Sequence, residues 1–170
     1  MRAELTITTA AAMEADAVEE VASSFDAFYR ERYVPMVRLA TLLVDRVEVA
    51  EEIVQESFAA AYLRWRRLDS PASYVRAAVV NRSRDALRWR RRRRSVALTE
   101  RVVDAGEPVD HVRAAIAALP RAQRTAVVLR FYEDLTVDAI AEAMGTRPGT
   151  VKSLLHRGIA ALREEIRDDR

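Results

Sequence analysis

Residues 136–157, TVDAIAEAMGTRPGTVKSLLHR, decide how this chain folds. Their spacing predicts a helix, a short turn at residues 145–147 and a second helix, which is the pattern of two helices crossing at a steep angle. Ala141 is small where such helices meet, Gly145 can adopt the positive φ that ends the first helix, and Val151 is a compact apolar side chain facing the core. The segment therefore predicts a helix-turn-helix.

The second helix of this motif turns a polar face outward once Val151, Leu154 and Leu155 are assigned to the core. Side chains on that face can donate to guanine edges or phosphates, and backbone amides at the start of the helix suit a phosphate. The candidate contacts to duplex DNA are Arg147, Gly149, Thr150, Lys152, Ser153, His156 and Arg157. The alternative is a surface helix with solvated charges, and the adjoining turn favours DNA binding.

The rest of the chain is also predicted to be helical, because apolar residues recur every three or four positions and glycine (4) and proline (5) are few. A capping pattern predicts a helix from near Pro71 to about Arg93. Between residues 95 and 110 the periodicity lapses, which predicts a linker. The expected architecture is all-α, with an N-terminal extension at 1–24, a three-helix domain at 25–94, a linker at 95–110 and a four-helix domain at 111–170.

Charge is distributed unevenly along the chain, although the net charge is only +2. Residues 1–63 carry a net charge of −7 and residues 64–94 one of +10. Such asymmetry predicts at least two partners, one of them a polyanion. Arginine fills six of the seven positions in residues 88–94, and neutralisation by phosphates would relieve its self-repulsion and release counterions. Nucleic-acid binding is therefore favoured over the alternative of a solvated arginine tail.

The composition argues against several classes of protein. There is no cysteine, and His111 and His156 stand 45 residues apart without a ligand-spaced partner, so no metal or redox cofactor is expected. No stretch approaches the roughly 18 apolar residues of a membrane span, and no signal peptide is evident. We therefore expect a cytoplasmic protein without direct membrane insertion.

Together these features resemble the extracytoplasmic-function sigma factors of bacterial RNA polymerase, and within them the SigE-like actinobacterial subgroup. Residues 25–94 resemble the family's second region and residues 112–166 its fourth. The resemblance implies that the chain binds core RNA polymerase and promoter DNA, reading the minus-ten element with the second region and the minus-thirty-five element with the helix-turn-helix. It implies no enzymatic activity, no cofactor and no small-molecule substrate. It also raises an anti-sigma factor as a partner, which the sequence leaves open.

The resemblance assigns a polymerase-docking role to residues 50–58, AEEIVQESF. They are similar to the family's acidic helix that docks on the clamp coiled coil of the largest polymerase subunit. The residues carried onto the partner-facing side are Glu52, Gln55 and Glu56. This role would explain the acidic character of the first half of the chain.

The resemblance also assigns promoter melting to the basic stretch. Asn81 and Asp85 are spaced as in the family's melting helix, and residues 68–73 stand where its loop captures a base flipped from the minus-ten element. Tyr74 occupies a position where many members carry tryptophan. The implied minus-ten contacts are Asp69, Ser70, Tyr74, Asn81, Arg84 and Arg88.

Two other classes compete with this interpretation. A LuxR-type regulator shares a sequence similar to Gly149–Lys152, but its sensing domain would require strands or a pocket that the first half does not indicate. An enzyme could use Glu51, Glu52 and Glu56 as acid–base or metal-binding carboxylates, but no Glu-x-x-His accompanies them. A charged docking face explains these glutamates better.

Overall fold

The computed structural model describes the backbone of residues 2–94 and 108–168 and the side chains of residues 19–88 and 111–167. Those residues form seven α-helices and one 3-10 turn, with no strand among them, so the all-α prediction of three plus four helices is confirmed. The elements are α1 Arg2–Val44, α2 Val47–Tyr62, the 3-10 turn Trp65–Arg67, α3 Pro71–Arg94, α4 Pro108–Ala118, α5 Arg121–Phe131, α6 Val137–Met144 and α7 Pro148–Asp168. The side chains of arginines 90–94 and most of the predicted linker lie outside the described residues.

Helices α1, α2 and α3 pack around an apolar core in the first half of the chain. Phe58 of α2 is fully buried there, and the rings of Phe28 and Tyr29 lie 5.7 and 5.0 Å from its ring. The Trp65 indole N–H donates to the Ser24 hydroxyl at 2.9 Å, which fixes the 3-10 turn against α1. The aromatic residues of the predicted amphipathic segments therefore form one cluster.

The structure differs from the expectation at the N-terminus, where residues 1–24 indicate only a frayed extension. Instead, α1 starts at Arg2 and continues to Val44 without a break. Residues 2–24 contain no glycine or proline and include Ala10, Ala11 and Ala12, so helix propensity favours continuation even with weak amphipathicity.

Helices α4 to α7 enclose the core of the second half. Its most deeply buried residues include Leu129, Ile140 and Val151, each 0% exposed. Helices α5 and α7 approach closely at Gly158, where an added Cβ would lie 2.8 Å from Cγ2 of Val127. Glycine is required there because of this close approach, although its backbone conformation is ordinary.

The two halves pack against each other. Helix α3 contacts α6, and α1 contacts α4 and α5. Buried side chains of both halves form one continuous hydrophobic cluster. The two halves therefore form a closed arrangement in which α3 lies against the first helix of the helix-turn-helix.

Candidate nucleic-acid and polymerase interfaces

The helix-turn-helix has the local geometry that its sequence predicts. The Thr136 hydroxyl accepts a hydrogen bond from the Ala139 N–H at 3.2 Å and caps the start of α6. Gly145 ends α6 with φ of 60°, and the Thr146 N–H donates to the Ala141 carbonyl at 2.9 Å. Val151 is completely buried, as the motif requires. These contacts fix the direction in which α7 leaves the turn.

The outward face of α7 carries the predicted DNA-reading side chains. Lys152, Ser153, His156 and Arg157 are exposed and line one shallow, open depression. The Ser153 hydroxyl donates to the Gly149 carbonyl at 3.1 Å, and Arg157 Nε donates to the Ser153 carbonyl at 3.2 Å. The helix backbone therefore holds both side chains along the same face.

The backbone amides at the start of α7 are not equally available to a phosphate. Arg147, Gly149 and Thr150 are exposed. However, the Thr150 N–H already donates to the Arg147 carbonyl at 3.0 Å. Of the Gly149 and Thr150 amides at the start of the helix, that of Gly149 is therefore the better placed for a phosphate.

The predicted minus-ten residues form two groups along α3. Asp69 and Ser70 are exposed just before the helix, and the Ser70 hydroxyl donates to that of Ser73 at 3.0 Å. Tyr74 is half-buried in the first turn. These three predicted contacts therefore lie together at the start of α3.

The second group lies farther along the helix. Asn81 and Arg88 are exposed, and Arg88 Nη1 lies 3.7 Å from a carboxylate oxygen of Asp85. Arg84 is only partly exposed and donates to the Met144 carbonyl of α6 at 3.0 Å. Of the predicted DNA contacts in this half, Arg84 is thus bound to the helix-turn-helix.

The acidic side of α2 is exposed, as a docking face requires. Glu52, Gln55 and Glu56 point to solvent while Ile53 and Val54 are buried. Glu56 also accepts a hydrogen bond from Arg82 Nε at 3.1 Å, which joins α2 to α3.

Three arginines close to the start of α3 are not among the DNA contacts predicted from the sequence. Arg64 donates to the Tyr74 hydroxyl at 3.1 Å, and Arg66 and Arg67 of the 3-10 turn are exposed beside it. The basic charge of residues 64–94 includes them, but no motif spacing marks them individually. They extend the basic surface from α3 to the preceding turn.

The described part of the chain holds neither a candidate membrane span nor a candidate metal site. It contains no helix long and apolar enough to cross a membrane. The described histidine, aspartate and glutamate side chains include no group of three placed to hold a metal ion.

The chain is similar to several known proteins. The family model of sigma-70 region 4 matches residues 110–162. The RNA polymerase sigma-E factor of Streptomyces coelicolor is 32% identical over 155 residues, covering 84% of this chain and 85% of that protein. The ECF RNA polymerase sigma factor SigE of Mycolicibacterium smegmatis is 29% identical over 176 residues, covering 95% and 67%.

A solved structure shares the fold. It is the sigma factor RpoE in complex with the anti-sigma factor NepR from Bartonella quintana, with a TM-score of 0.65, 20% identity, and coverage of 85% of this chain and 99% of that one. The long match to the Streptomyces protein agrees with the helix-turn-helix geometry and with the resemblance of both halves. The chain therefore belongs to the extracytoplasmic-function sigma factors, which bind core RNA polymerase and direct promoter-specific initiation of transcription.

Proposed function

We propose that the two halves of this sigma factor divide promoter recognition between them. Residues 111–170 read the minus-thirty-five duplex, and residues 25–94 dock on core polymerase and open the minus-ten element. The outward face of α7 is the observation that carries this proposal. Lys152, Ser153, His156 and Arg157 share one exposed surface there, and the core of the helix-turn-helix on the opposite side is buried. A major groove accommodates a helix of this kind.

The minus-thirty-five element would be read by the first two exposed turns of α7. Lys152 and Arg157 can donate to guanine edges or phosphates, while Ser153 and His156 can contact bases or backbone. The Gly149 amide and the side chains of Arg147 and Thr150 flank these readers and suit phosphate contacts. Phosphate contacts would set the register, and base contacts would supply the sequence preference.

The minus-ten element would be opened by the basic surface of α3. Asp69, Ser70 and Tyr74 surround the start of the helix, where an unpaired base could be held beside an aromatic ring. Asn81 and Arg88 lie about 10 and 21 Å from Tyr74 along the helix axis, at 1.5 Å per residue. They suit contacts to the DNA strand. Arg84 belongs to this set once it is released from α6.

The exposed side of α2 would supply the polymerase contact. Glu52 and Gln55 are available on it, and Glu56 contributes while paired with Arg82. A charged rim steers association and selects partners, although each exposed ion pair adds little affinity.

We further propose that the protein has no catalytic activity of its own and acts in the cytoplasm, where RNA polymerase and its template are found. Opening of the promoter would draw on binding energy distributed over protein and DNA. The glutamates of α2 fit this scheme as docking residues. An anti-sigma factor is a proposed partner, since the structural relative RpoE was solved with one.

Run-off transcription with purified core polymerase tests the proposal. Adding the chain should produce promoter-dependent initiation from a library of promoters. The double variant Lys152→Ala/Arg157→Ala should lose dependence on the upstream element. The matched control, Arg163→Ala/Arg167→Ala, removes two exposed cations from the same helix and should retain it. If core polymerase with the natural chain never initiates at a promoter, the sigma assignment fails.

A further inference from the structure

Arg64, which no sequence motif singles out, is bonded to the aromatic residue that the proposed function places beside the minus-ten element. Its Nη1 donates to the Tyr74 hydroxyl at 3.1 Å, which joins the residue before the 3-10 turn to the first turn of α3. We propose that Arg64 is a positioning residue, which holds the Tyr74 ring in the orientation that receives the unpaired base. This inference rests on the proposed function, because it takes from it the role of Tyr74 in promoter opening.

The backbone that carries Arg64 is held on both sides. The Arg64 N–H donates to the Ala61 carbonyl at 3.0 Å, and the Arg64 carbonyl accepts from the Arg67 N–H at 2.8 Å. The first bond ties Arg64 to the end of α2, and the second closes the 3-10 turn that follows. The Arg64 side chain therefore extends from a fixed point of the backbone.

The residue after Arg64 fastens this turn to α1. The Trp65 indole N–H donates to the Ser24 hydroxyl at 2.9 Å. The Trp65 ring also lies 5.1 Å from the rings of both Phe25 and Phe28, and it is perpendicular to the first of them. Aromatic contacts of this kind contribute stability beyond the area that they bury. The turn is thereby packed on α1, and the position from which Arg64 reaches α3 is set.

Tyr74 is held at both ends, as a stacking surface requires. Its backbone N–H donates to the Ser70 carbonyl at 3.0 Å, which fixes its α-carbon in the first turn of α3. Its hydroxyl, at the far end of the side chain, accepts from Arg64. The side chain is half-buried, so part of it stays open to a ligand. A ring that is already fixed loses little further rotational freedom when a base stacks on it.

The bond to Arg64 leaves the Tyr74 hydroxyl able to act on a base. A phenol that accepts one hydrogen bond keeps its own O–H, which can donate to an acceptor on the edge of the base. Arg66 and Arg67 are exposed in the same turn, where cations suit the phosphates of the strand that carries the base. Arg64 orients the ring while its two neighbours meet the strand, so the three arginines have different roles.

The alternative role for Arg64 is a phosphate contact that does not act through Tyr74. Loss of Arg64 would slow promoter opening in either case, so a single substitution does not separate the two roles. They differ in how the loss depends on the Tyr74 hydroxyl. A positioning residue has little effect once that hydroxyl is absent, whereas a phosphate contact contributes independently of it. The two residues therefore have to be changed together.

A double-mutant cycle in the assembled holoenzyme tests the proposal. The variants are Arg64→Gln, Tyr74→Phe and the two combined. The readout is the rate of minus-ten opening at a promoter selected by run-off transcription, followed by the fluorescence of 2-aminopurine at successive positions of that element. Each single variant should slow opening by about three- to tenfold, because stacking on an aromatic ring changes binding by roughly five- to 150-fold and a misoriented ring loses part of that.

The combined variant decides between the two roles of Arg64. In the Tyr74→Phe background, Arg64→Gln should slow opening by less than about twofold, since the hydroxyl through which Arg64 acts is already gone. If the losses of the two single variants multiply in the combined variant, the proposal is overturned and Arg64 is a phosphate contact.

Arg67→Gln is the matched control, because it removes an exposed cation from the same turn and leaves the bond between Arg64 and Tyr74 in place. Its effect on opening should be the same in the natural chain and in Tyr74→Phe. Urea unfolding should give nearly equal midpoints for the natural chain and Arg64→Gln, since the bond is exposed. A loss of stability that accounts for the loss of opening would overturn the positioning role.

Failure of this inference is distinguishable from failure of the proposed function. Tyr74→Ala should slow opening by about tenfold or more. If it opens the promoter at the natural rate, the minus-ten assignment of Tyr74 fails, and the role of Arg64 fails with it. If Tyr74→Ala slows opening and Arg64→Gln does not, only the role of Arg64 is overturned. A natural chain that never initiates at a promoter would overturn the sigma assignment itself.

Discussion

Replacing Lys152 with alanine tests whether α7 reads bases or only binds phosphates. Lys152 is the fifth residue of α7, on the exposed face, in the part of a recognition helix that meets base edges. A good base contact contributes about 1–3 kcal/mol of discrimination, and a lysine, which lacks a two-pronged fork, should lie near the lower value. We therefore expect about fivefold loss of preference, confined to one or two base pairs of the upstream element.

The assay is promoter binding by the assembled holoenzyme, measured over every single-base variant of the upstream element at several salt concentrations. Arg163→Ala is the control, because it removes an exposed cation about 16 Å farther along the same helix. The base-reading assignment is refuted if Lys152→Ala weakens all sequences equally and lowers the salt slope by about 0.9, since that is the behaviour of a lost phosphate contact.

Three further changes probe the fold and the basic surface. Gly158→Ala should destabilise the protein by about 1–2 kcal/mol in urea unfolding, because the added Cβ would meet the stiff, buried Val127. Unchanged or greater stability would contradict the close packing of α5 on α7. Thr136→Ala should cost about 1 kcal/mol by removing the cap on the Ala139 amide, and Thr136→Ser should recover most of it in the same assay. Replacing arginines 90–94 with glutamine should lower the salt slope of promoter binding without changing sequence preference, and a shift in preferred sequence would count against a phosphate role.

The helical architecture is predictable from the sequence because it depends on local rules. Apolar spacing places Val151 in the core, and Gly145 ends α6 in the left-handed conformation that its lack of a side chain permits. The start of α3 at Pro71 follows from proline's preference for a first helical turn. The orientation of the outward residues of α7 is equally predictable from the sequence, since it follows from helical geometry once the core is assigned.

The contacts between the halves are not predictable in this way, because they join residues far apart in sequence. Arg76 and Glu133 are 57 positions apart, and Arg124 and Leu43 are 81 apart. Neither partner carries a local pattern that distinguishes it from other charged residues. Arg64 is missed for a related reason, since its bond to Tyr74 depends on how the 3-10 turn folds back on α3.

Arginine's ability to donate to negatively charged oxygens explains why α3 would contact both DNA and the second half of the chain. A helix C-terminus presents carbonyl oxygens with partial negative charge, as a phosphate presents oxygens with a full one, and arginine donates well to both. In this structure the Met144 carbonyl accepts a hydrogen bond from Arg84, which we propose as a minus-ten contact. Because a phosphate offers the stronger charge, DNA that reaches α3 would compete with this carbonyl for Arg84.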